Sequence, residues 1–580
     1  MRTMRIALAQ INPTVGDLQG NRNKIIEHIN EARSRGADLV AFPELSVCGY
    51  PPEDLVFKQS FLQDNKRIIE EIAARTKDIT AVVGFVDTGK DAYNAAAILH
   101  NGKQVGVYHK LFLPTYSVFD EDRYFKRGNS CPVFTINGIN IGVNICEDIW
   151  YELGPTTLQR DANAEVIVNI NGSPYYAGKR ELREKFVATR AIDNELFVAY
   201  VNQVGGQDEL VFDGASMIFD YDGKMMARGK QFQEDMLIAD LDLDGLMATR
   251  MHSPRTRKHW IAVDKGDVTA PNVVISERYT EKTREPLPKP ENGLHKPLPA
   301  KAEIYQALVT GLGDYIRKSG FKKAVLGLSG GIDSSLCVCL LVDAIGKENV
   351  VGVAMPSRYN SPESLEDAQI LAHNLGVEFQ TISIEEPFQA YLRVLKDAFK
   401  GMPENVAEEN IQARIRGNIL MGISNKFNYI VISTSNKSES ATGFTTLYGD
   451  MAGGFAVMKD VPKMLVYDLA RYRNTLETKG PIPERVFTKA PSPELKANQK
   501  AQDTLPPYEQ LDQILEAYVE NDRSLQDIVA MGFPEATVRR VMQMVDRNEY
   551  KRRQAAPGVK ITPRSFGKDR RLPIVNKYVG

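Results

Sequence analysis

The stretch Ser329-Gly-Gly-Ile-Asp-Ser-Ser335 constrains this chain most, because few folds place two glycines, three serines and a carboxylate at one turn. The residues before it, Lys323-Ala-Val-Leu-Gly-Leu328, form a short apolar run that suits a buried parallel strand. The residues after it, from Leu336, suit a helix closed by Gly346. A strand, a Gly/Ser turn and a helix start together make an anion site, since the free N–H groups point outward and the helix dipole favours negative charge. Ser329, Ser334 and Ser335 add hydroxyls, and Asp333 adds a carboxylate suited to Mg²⁺ beside phosphate oxygens. No Gly-Lys-Ser/Thr follows, so this is not the loop that cradles β- and γ-phosphates for terminal phosphoryl transfer.

The turn resembles the pyrophosphate loop of the N-type ATP pyrophosphatases, which implies cleavage of ATP between the α- and β-phosphates and adenylation of a substrate. Composition is compatible with a large enzyme. At 580 residues the chain should hold two or three domains. Its 72 Lys+Arg against 74 Asp+Glu exclude a protein built as a whole for nucleic acid or an anionic membrane. The N-terminus reads as a strand and not a signal peptide, and nowhere do 18 apolar residues run together. Five cysteines (48, 131, 146, 337 and 339) are too few and too irregular for a disulfide framework, so a cytoplasmic enzyme is expected.

The first 268 residues read as one domain. Strands are expected at Ile6–Ile11, Ala37–Phe42 and Ile79–Val86, a helix at Asn21–Arg35, and hairpins at Asn101-Gly102, Asn137-Gly138 and Asp222-Gly223. Two mixed sheets between helix layers are the simplest packing, an αββα sandwich. Glu44, Lys110 and Cys146 each stand just past the end of an expected strand. Singly, the cysteine reads as packing and the charges as surface groups. Together, Phe42-Pro-Glu-Leu45, Tyr108-His-Lys110 and Asn144-Ile-Cys-Glu-Asp-Ile-Trp150 resemble the Glu-Lys-Cys constellation of the nitrilase (carbon–nitrogen hydrolase) family. The resemblance implies Cys146 as nucleophile, Glu44 as its base and Lys110 as the cation facing the oxyanion, with Glu121 as a second, supporting glutamate. Chemistry agrees: a thiol must lose its proton to attack an amide, and the tetrahedral oxyanion needs donors.

Residues 269–301, rich in proline (Pro271, Pro286, Pro288, Pro290, Pro297, Pro299), read as a linker. From 302 to 580 strands and helices alternate, as in a doubly wound, Rossmann-like parallel α/β domain. Met355 ends a strand where adenine could meet the backbone, and Glu439 and Asp450 are acids near another strand end. Glu409-Asn-Ile-Gln-Ala-Arg414, Ser435-Asn-Lys-Ser-Glu439, Tyr448-Gly-Asp450, Ile482-Pro-Glu-Arg485 and Lys489-Ala-Pro-Ser492 look like NAD synthetase. Behind a nitrilase-like domain, the whole chain resembles the glutamine-dependent members of that family.

That resemblance implies glutamine, ATP and deamido-NAD as substrates, Mg²⁺ as the metal, and a homo-oligomer, with no nucleic-acid or membrane partner. It implies glutamine contacts at Tyr116, Ser173 and Lys179, where many members have Arg in place of Lys179. ATP contacts are implied at Gly327, Leu328, Ser329, Gly330, Gly331, Ile332, Asp333, Ser334, Met355 and Thr434, metal ligands at Asp333 and Glu439, and deamido-NAD contacts at Asn410, Glu439 and Lys551. The segment Met451–Lys463 departs from the Gly-Gly-Ala-Asp form of ammonia-only enzymes, leaving its contacts open. Residues 477–507 are polar and poorly periodic, as in a loop that orders over ATP. From Lys551 to Arg571 stand eight cations and one acid, but no aromatic interleaving suggests base stacking. An adenylating amidotransferase with another carboxylate acceptor is the alternative function. A third reading is a non-catalytic nitrilase-like scaffold serving an ammonia-dependent synthetase.

Overall fold

The first strand, buried on both faces, shows how the N-terminal half is built. In β1 (Thr3–Gln10), Ile6 and Leu8 join one apolar cluster while Ala7 and Ala9 join another, as the two-residue period of a strand requires. The computed structural model describes residues 2–253, 268–282, 284–287, 294–497 and 499–578. Within the expected linker, Thr283 and residues 288–293, including Pro288 and Pro290, lie outside the described residues. So do Met1 and residues 254–267 of the expected first domain, and Asn498 of the 477–507 loop.

Two units make up the chain, one of Met1–Gln207 and Phe212–Leu298, the other of Asp208–Val211 and Pro299–Gly580. In the first, β1, β2 (Leu39–Ala41), β3 (Thr80–Thr88), β4 (Ala92–His100) and β5 (Lys103–His109) belong to one sheet. The second sheet draws on β6 (Val133–Ile136), β7 (Ile139–Ile145), β8 (Val166–Asn171) and β9 (Phe197–Asn202). β10 (Val204–Gln207) and β11 (Leu210–Asp213) pair as a ribbon, and β12 (Met217–Phe219), β13 (Met225–Arg228), β14 (Asp235–Asp242) and β15 (Asn272–Val274) follow. The orders are β14-β1-β2-β3-β4-β5 and β13-β12-β9-β8-β7-β6-β15. Ile6, Leu8, Val82 and Ile98 face Ile141, Val143, Val168 and Ala199 in a shared core, and the helices Leu18–Ser34, Gln59–Ala73 and Lys179–Asn194 cover the outer faces. This is the expected αββα sandwich.

The turn signals act as read. Asn101 and Gly102 take φ of 46° and 84°, and Asn137 and Gly138 take 50° and 67°, the double positive φ that a two-residue hairpin turn needs. The stretch read as a linker holds a strand of its own: β15 extends the second sheet in parallel with β6, and Val273, Ile275 and Tyr279 pack on the inter-sheet core. Its few apolar residues fall between prolines, so no period announced it.

In the second unit β16 (Ala324–Gly327), β17 (Val350–Ala354), β18 (Glu378–Thr381) and β19 (Ile430–Val431) form a parallel sheet of order β18-β17-β16-β19. The chain leaves β16 toward β17 on one side and later returns to β19 on the other. The C-terminal end of β16 is therefore the topological switch point, where such sheets open a crevice. Helices Ile332–Ile345 and Pro362–Leu375 start at that end. The 477–507 stretch contains a short helix, Glu484–Thr488, and a turn of 3₁₀ helix, Ala501–Asp503. The basic tail folds back: Lys560 pairs with Asp569 at 2.6 Å, Arg564 with Asp522, and Arg552 with Glu549, while Arg570 lies over the Tyr518 ring. Lys560, Arg564, Arg552 and Arg570 are thus engaged within this unit.

Gly84 of β3 illustrates how closely the sheet meets the segment carrying Glu44. A Cβ there would lie 2.4 Å from both the Leu45 amide nitrogen and the Pro43 carbonyl oxygen. Gly84→Ala is expected to destabilise the protein by about 1–3 kcal/mol, the usual range for overpacking. Urea denaturation checks this, and an unchanged midpoint would contradict it.

Candidate active sites

β7 ends at Ile145, and Cys146 follows with φ of 45°, a left-handed conformation that costs a non-glycine residue about 1–3 kcal/mol. The turn lifts the thiol off the strand end and opens the short helix Cys146–Ile149. Next to it lies a buried charge cluster. Lys110 follows β5, and its ammonium sits 2.7 Å from Glu44 Oε1 and 2.9 Å from Glu121 Oε1, with the lysine and Glu44 side chains wholly inaccessible. Neutral donors complete the cluster. The Asn94 amide donates to Glu44 (2.7 Å) and Glu121 (3.3 Å), the Tyr50 hydroxyl to Glu121 (2.8 Å), and the Gly172 N–H to Glu44 Oε2 (2.8 Å).

Burial raises the Cys146 thiol well above its ordinary value, and the Glu44 charge pushes the same way while Lys110 pulls down. The resting thiol is therefore protonated and needs a base. Burial also pushes Glu121 up to about 7, against the pull of Lys110 and with the push of Glu44. Lys110 is held charged, its pKa raised by the two carboxylates in spite of burial.

The structure gathers Glu44, Lys110, Glu121 and Cys146 as read from the sequence. Ser173 follows Gly172 and is buried, its N–H bound to Asn202 Oδ1 at 2.9 Å. Tyr116, more than half exposed, donates its hydroxyl to the carboxylate of Glu147, the neighbour of Cys146. Lys179 donates to the Pro174 carbonyl at 2.8 Å, one residue from Ser173. Asn94 and Tyr50 were missed. Asn94 had a signal, a lone amide inside the apolar run Ala92-Tyr-Asn-Ala-Ala-Ala-Ile-Leu99, and Tyr50 had none.

In the second unit a cavity of about 320 Å³ opens at the end of β16, lined by Gly327 to Ser334, Met355, Thr434 and Glu439. Gly330 has φ of 80°, and a Cβ there would lie 2.1 Å from the Ser364 carbonyl oxygen, so the loop admits only glycine. The Met355 carbonyl accepts from Arg416 Nε at 3.0 Å. Asn410 accepts from the Thr446 hydroxyl (2.7 Å), and Lys551 donates to the carbonyls of Gly443 and Thr445 (2.7 Å each). Both residues thus brace one wall, which also presents Asp450, its carboxyl pushed up to about 6 by burial.

Lys463, in the segment whose contacts were left open, donates to Asp333 and lies 3.6 Å from Glu439. Burial and the Asp333 charge push Glu439 up to about 7. Two hard carboxylates thus share one cation position with surplus negative charge. Among the described residues no three His, Cys, Asp or Glu gather as a closed metal cage. This pair, open to phosphate oxygens, fits a cation that shares its coordination with a nucleotide. Lys489 donates to Ser361 (2.9 Å) and Glu494 (2.8 Å), drawing the expected mobile loop over the cavity rim.

Because the folded-state pKa of Glu121 lies above its ordinary 4.5, the contribution of this group to native stability falls as pH rises from about 4.5 to about 7. Glu121→Gln lacks that ionisation, so its stability relative to wild type should climb across the same window. Denaturant midpoints measured at several pH values check this. A difference that stays flat would contradict the buried ionisation.

Two family models divide the sequence: carbon-nitrogen hydrolase matches residues 5–251 and NAD synthase residues 304–555. The chain is 48% identical to the glutamine-dependent NAD(+) synthetase of Thermotoga maritima, over 100% of this chain and 99% of that one. It is 49% identical to that of Aquifex aeolicus, over 99% and 100%. Among solved structures, the glutamine-dependent NAD+ synthetase from Acinetobacter baumannii, in complex with adenosine diphosphate, matches with a TM-score of 0.73 and 41% identity, covering 99% of both chains.

Proposed function

The chain belongs to the glutamine-dependent NAD(+) synthetase family, and we propose that the two clusters described above carry the two halves of its reaction. The enzyme is a carbon–nitrogen ligase that takes nitrogen from glutamine and, with ATP, amidates deamido-NAD to NAD. The observation that carries the residue assignment is the buried Lys110 ammonium between Glu44 and Glu121, beside a thiol held protonated at a strained turn.

In the first unit Glu44 takes the Cys146 proton as the sulfur attacks the side-chain amide carbon of glutamine. Lys110 faces the oxyanion of the tetrahedral intermediate. The C–N bond breaks, Glu44 returns the proton to the leaving nitrogen, and ammonia departs. Water, deprotonated by Glu44, then cleaves the thioester to glutamate and frees the thiol. Tyr116, Ser173 and Lys179 hold the amino-acid end of the substrate.

In the second unit the nicotinate carboxylate of deamido-NAD attacks the α-phosphorus of ATP, and pyrophosphate leaves. The Ser329–Ser334 turn and the start of helix Ile332–Ile345 bind the phosphates, as a helix N-terminus favours. Met355 and Thr434 flank the nucleoside, and Asn410, Glu439 and Lys551 serve the dinucleotide. Asp333 and Glu439 would hold Mg²⁺, which when bound neutralises the phosphate charge. Lys463, already on that acid pair, moves onto phosphate oxygens as ATP enters. Ammonia then attacks the adenylated carboxyl, AMP leaves, and one proton is lost. Ammonium is not nucleophilic, so an internal passage that keeps ammonia neutral suits the fused chain.

No helix among the described residues is long and apolar enough to cross a membrane. We assign the enzyme to the cytoplasm, as a homo-oligomer without nucleic-acid or membrane partners, with residues 1–268 as glutaminase, 269–301 as linker and 302–580 as synthetase.

Cys146→Ala should abolish NAD formation from glutamine by at least about 10³-fold, while leaving formation from ammonium within about twofold. Asp333→Asn should reduce both by about 10²-fold or more. Initial rates with each nitrogen source decide the matter. Glutamine use surviving in Cys146→Ala would overturn the nucleophile.

A further inference from the structure

Asp148 stands two residues after Cys146 and is fully buried. Its carboxylate meets four donors. Oδ1 accepts from the backbone N–H of Leu111 (3.2 Å) and Phe112 (2.9 Å), and Oδ2 from the Ile145 N–H (3.0 Å) and the Tyr108 hydroxyl (2.7 Å). Leu111 and Phe112 directly follow Lys110, and Ile145 directly precedes Cys146. One side chain therefore ties the segment that carries the lysine to the strand end that presents the thiol.

Only an ionised carboxylate suits this set. It offers about four acceptor positions and no proton, whereas an asparagine amide would turn its NH₂ against two donors. Burial pushes the Asp148 carboxyl up to about 6, and the Tyr108 hydroxyl, the Phe112 and Ile145 amides and the Lys110 charge hold it from rising further. It stays an anion at neutral pH although its hydrogen-bond partners, among the described residues, are all neutral groups. Glu44 and Glu121 hold the Lys110 ammonium itself, through its side chain and not through the backbone on which the lysine or the cysteine stands. The left-handed turn at Cys146 also needs such an external hold, because its conformation is disfavoured on its own.

We propose that Asp148 is a positioning residue of the glutaminase, setting where the Lys110 ammonium stands relative to the Cys146 sulfur. It touches no substrate. Its work is to keep the oxyanion cation in register with the nucleophile, so its loss slows the chemical step and leaves glutamine affinity nearly intact. The inference rests on the proposed roles of Glu44, Lys110 and Cys146.

The test uses the full-length enzyme, with glutamine and ammonium assayed in parallel. Asp148→Asn should lower kcat with glutamine by about 10–100-fold, the scale expected when reacting groups shift by roughly an ångström, with KM changed less than about threefold. Its ammonium-dependent rate should stay within about twofold of wild type, and alkylation of the Cys146 peptide by iodoacetamide should slow. Tyr108→Phe removes one of the four donors without adding a mismatch and should lower kcat by about three- to tenfold, again with KM unchanged.

A kcat within about twofold of wild type in Asp148→Asn would overturn the proposal. If Asp148→Asn does not fold or loses both nitrogen sources alike, Tyr108→Phe decides, and an unchanged kcat there overturns it. Cys146→Ala separates the two levels of the account. If that variant retains glutamine use, the glutaminase assignment has failed. If it loses glutamine use while Asp148→Asn keeps it, only the positioning role has failed.

Discussion

The first unit depends on one buried cation. Removing a lysine from water costs several kcal/mol, and Lys110 is wholly enclosed. Two carboxylates offset that cost, and Asn94, Tyr50 and Gly172 supply donors for the lone pairs the lysine leaves over. One positive charge faces two negative ones, so the cluster carries a charge in excess. Burial, with the Glu44 charge added to it, raises Glu121 toward neutrality and keeps the thiol of Cys146 protonated until substrate arrives. In the mechanism proposed above, the negative charge passes from sulfur to the substrate oxygen while the proton passes to Glu44. The same lysine then faces an oxyanion where it had faced a carboxylate. Little reorganisation is required, which is the physical advantage of a preformed charge pair.

The second unit uses the same principle with the same signs, one lysine against two carboxylates. Asp333 and Glu439 bring two carboxylates to the switch point of the parallel sheet, and Lys463 balances them. The Ser329–Ser334 turn contributes partial positive charge at the adjacent helix start. On the proposed reading, a triphosphate entering this cavity brings its own negative charge, and the lysine exchanges one set of anions for another.

Much of this was legible in the sequence, and the reasons are local. The Asn-Gly turns, the apolar run of β1 and the strand–glycine–helix pattern around Ser329 act within a few residues, and all were read with their positions nearly right. Glu44, Lys110 and Cys146 could be placed at strand ends because the strands themselves were visible. What was not legible depends on long-range pairing. Lys463 and Asp333 are 130 residues apart, and nothing in Asp460-Val-Pro-Lys463 announces the partner. Asp148 looks like one acid among many until four donors from two segments converge on it. β15 was hidden among prolines, because an edge strand of three residues leaves almost no periodic trace. The partners of the basic tail at Glu549, Asp522 and Asp546 were equally hidden, since only the fold brings them alongside.

The central claim is that a covalent bond forms at Cys146, assisted by a buried glutamate. Mass spectrometry of enzyme quenched in acid during turnover with glutamine tests it most directly. The account predicts a γ-glutamyl thioester on the Cys146 peptide, present in wild type and missing in Glu44→Gln. An unmodified Cys146 peptide in an enzyme that is hydrolysing glutamine, or an adduct that forms as fast without Glu44, would contradict it.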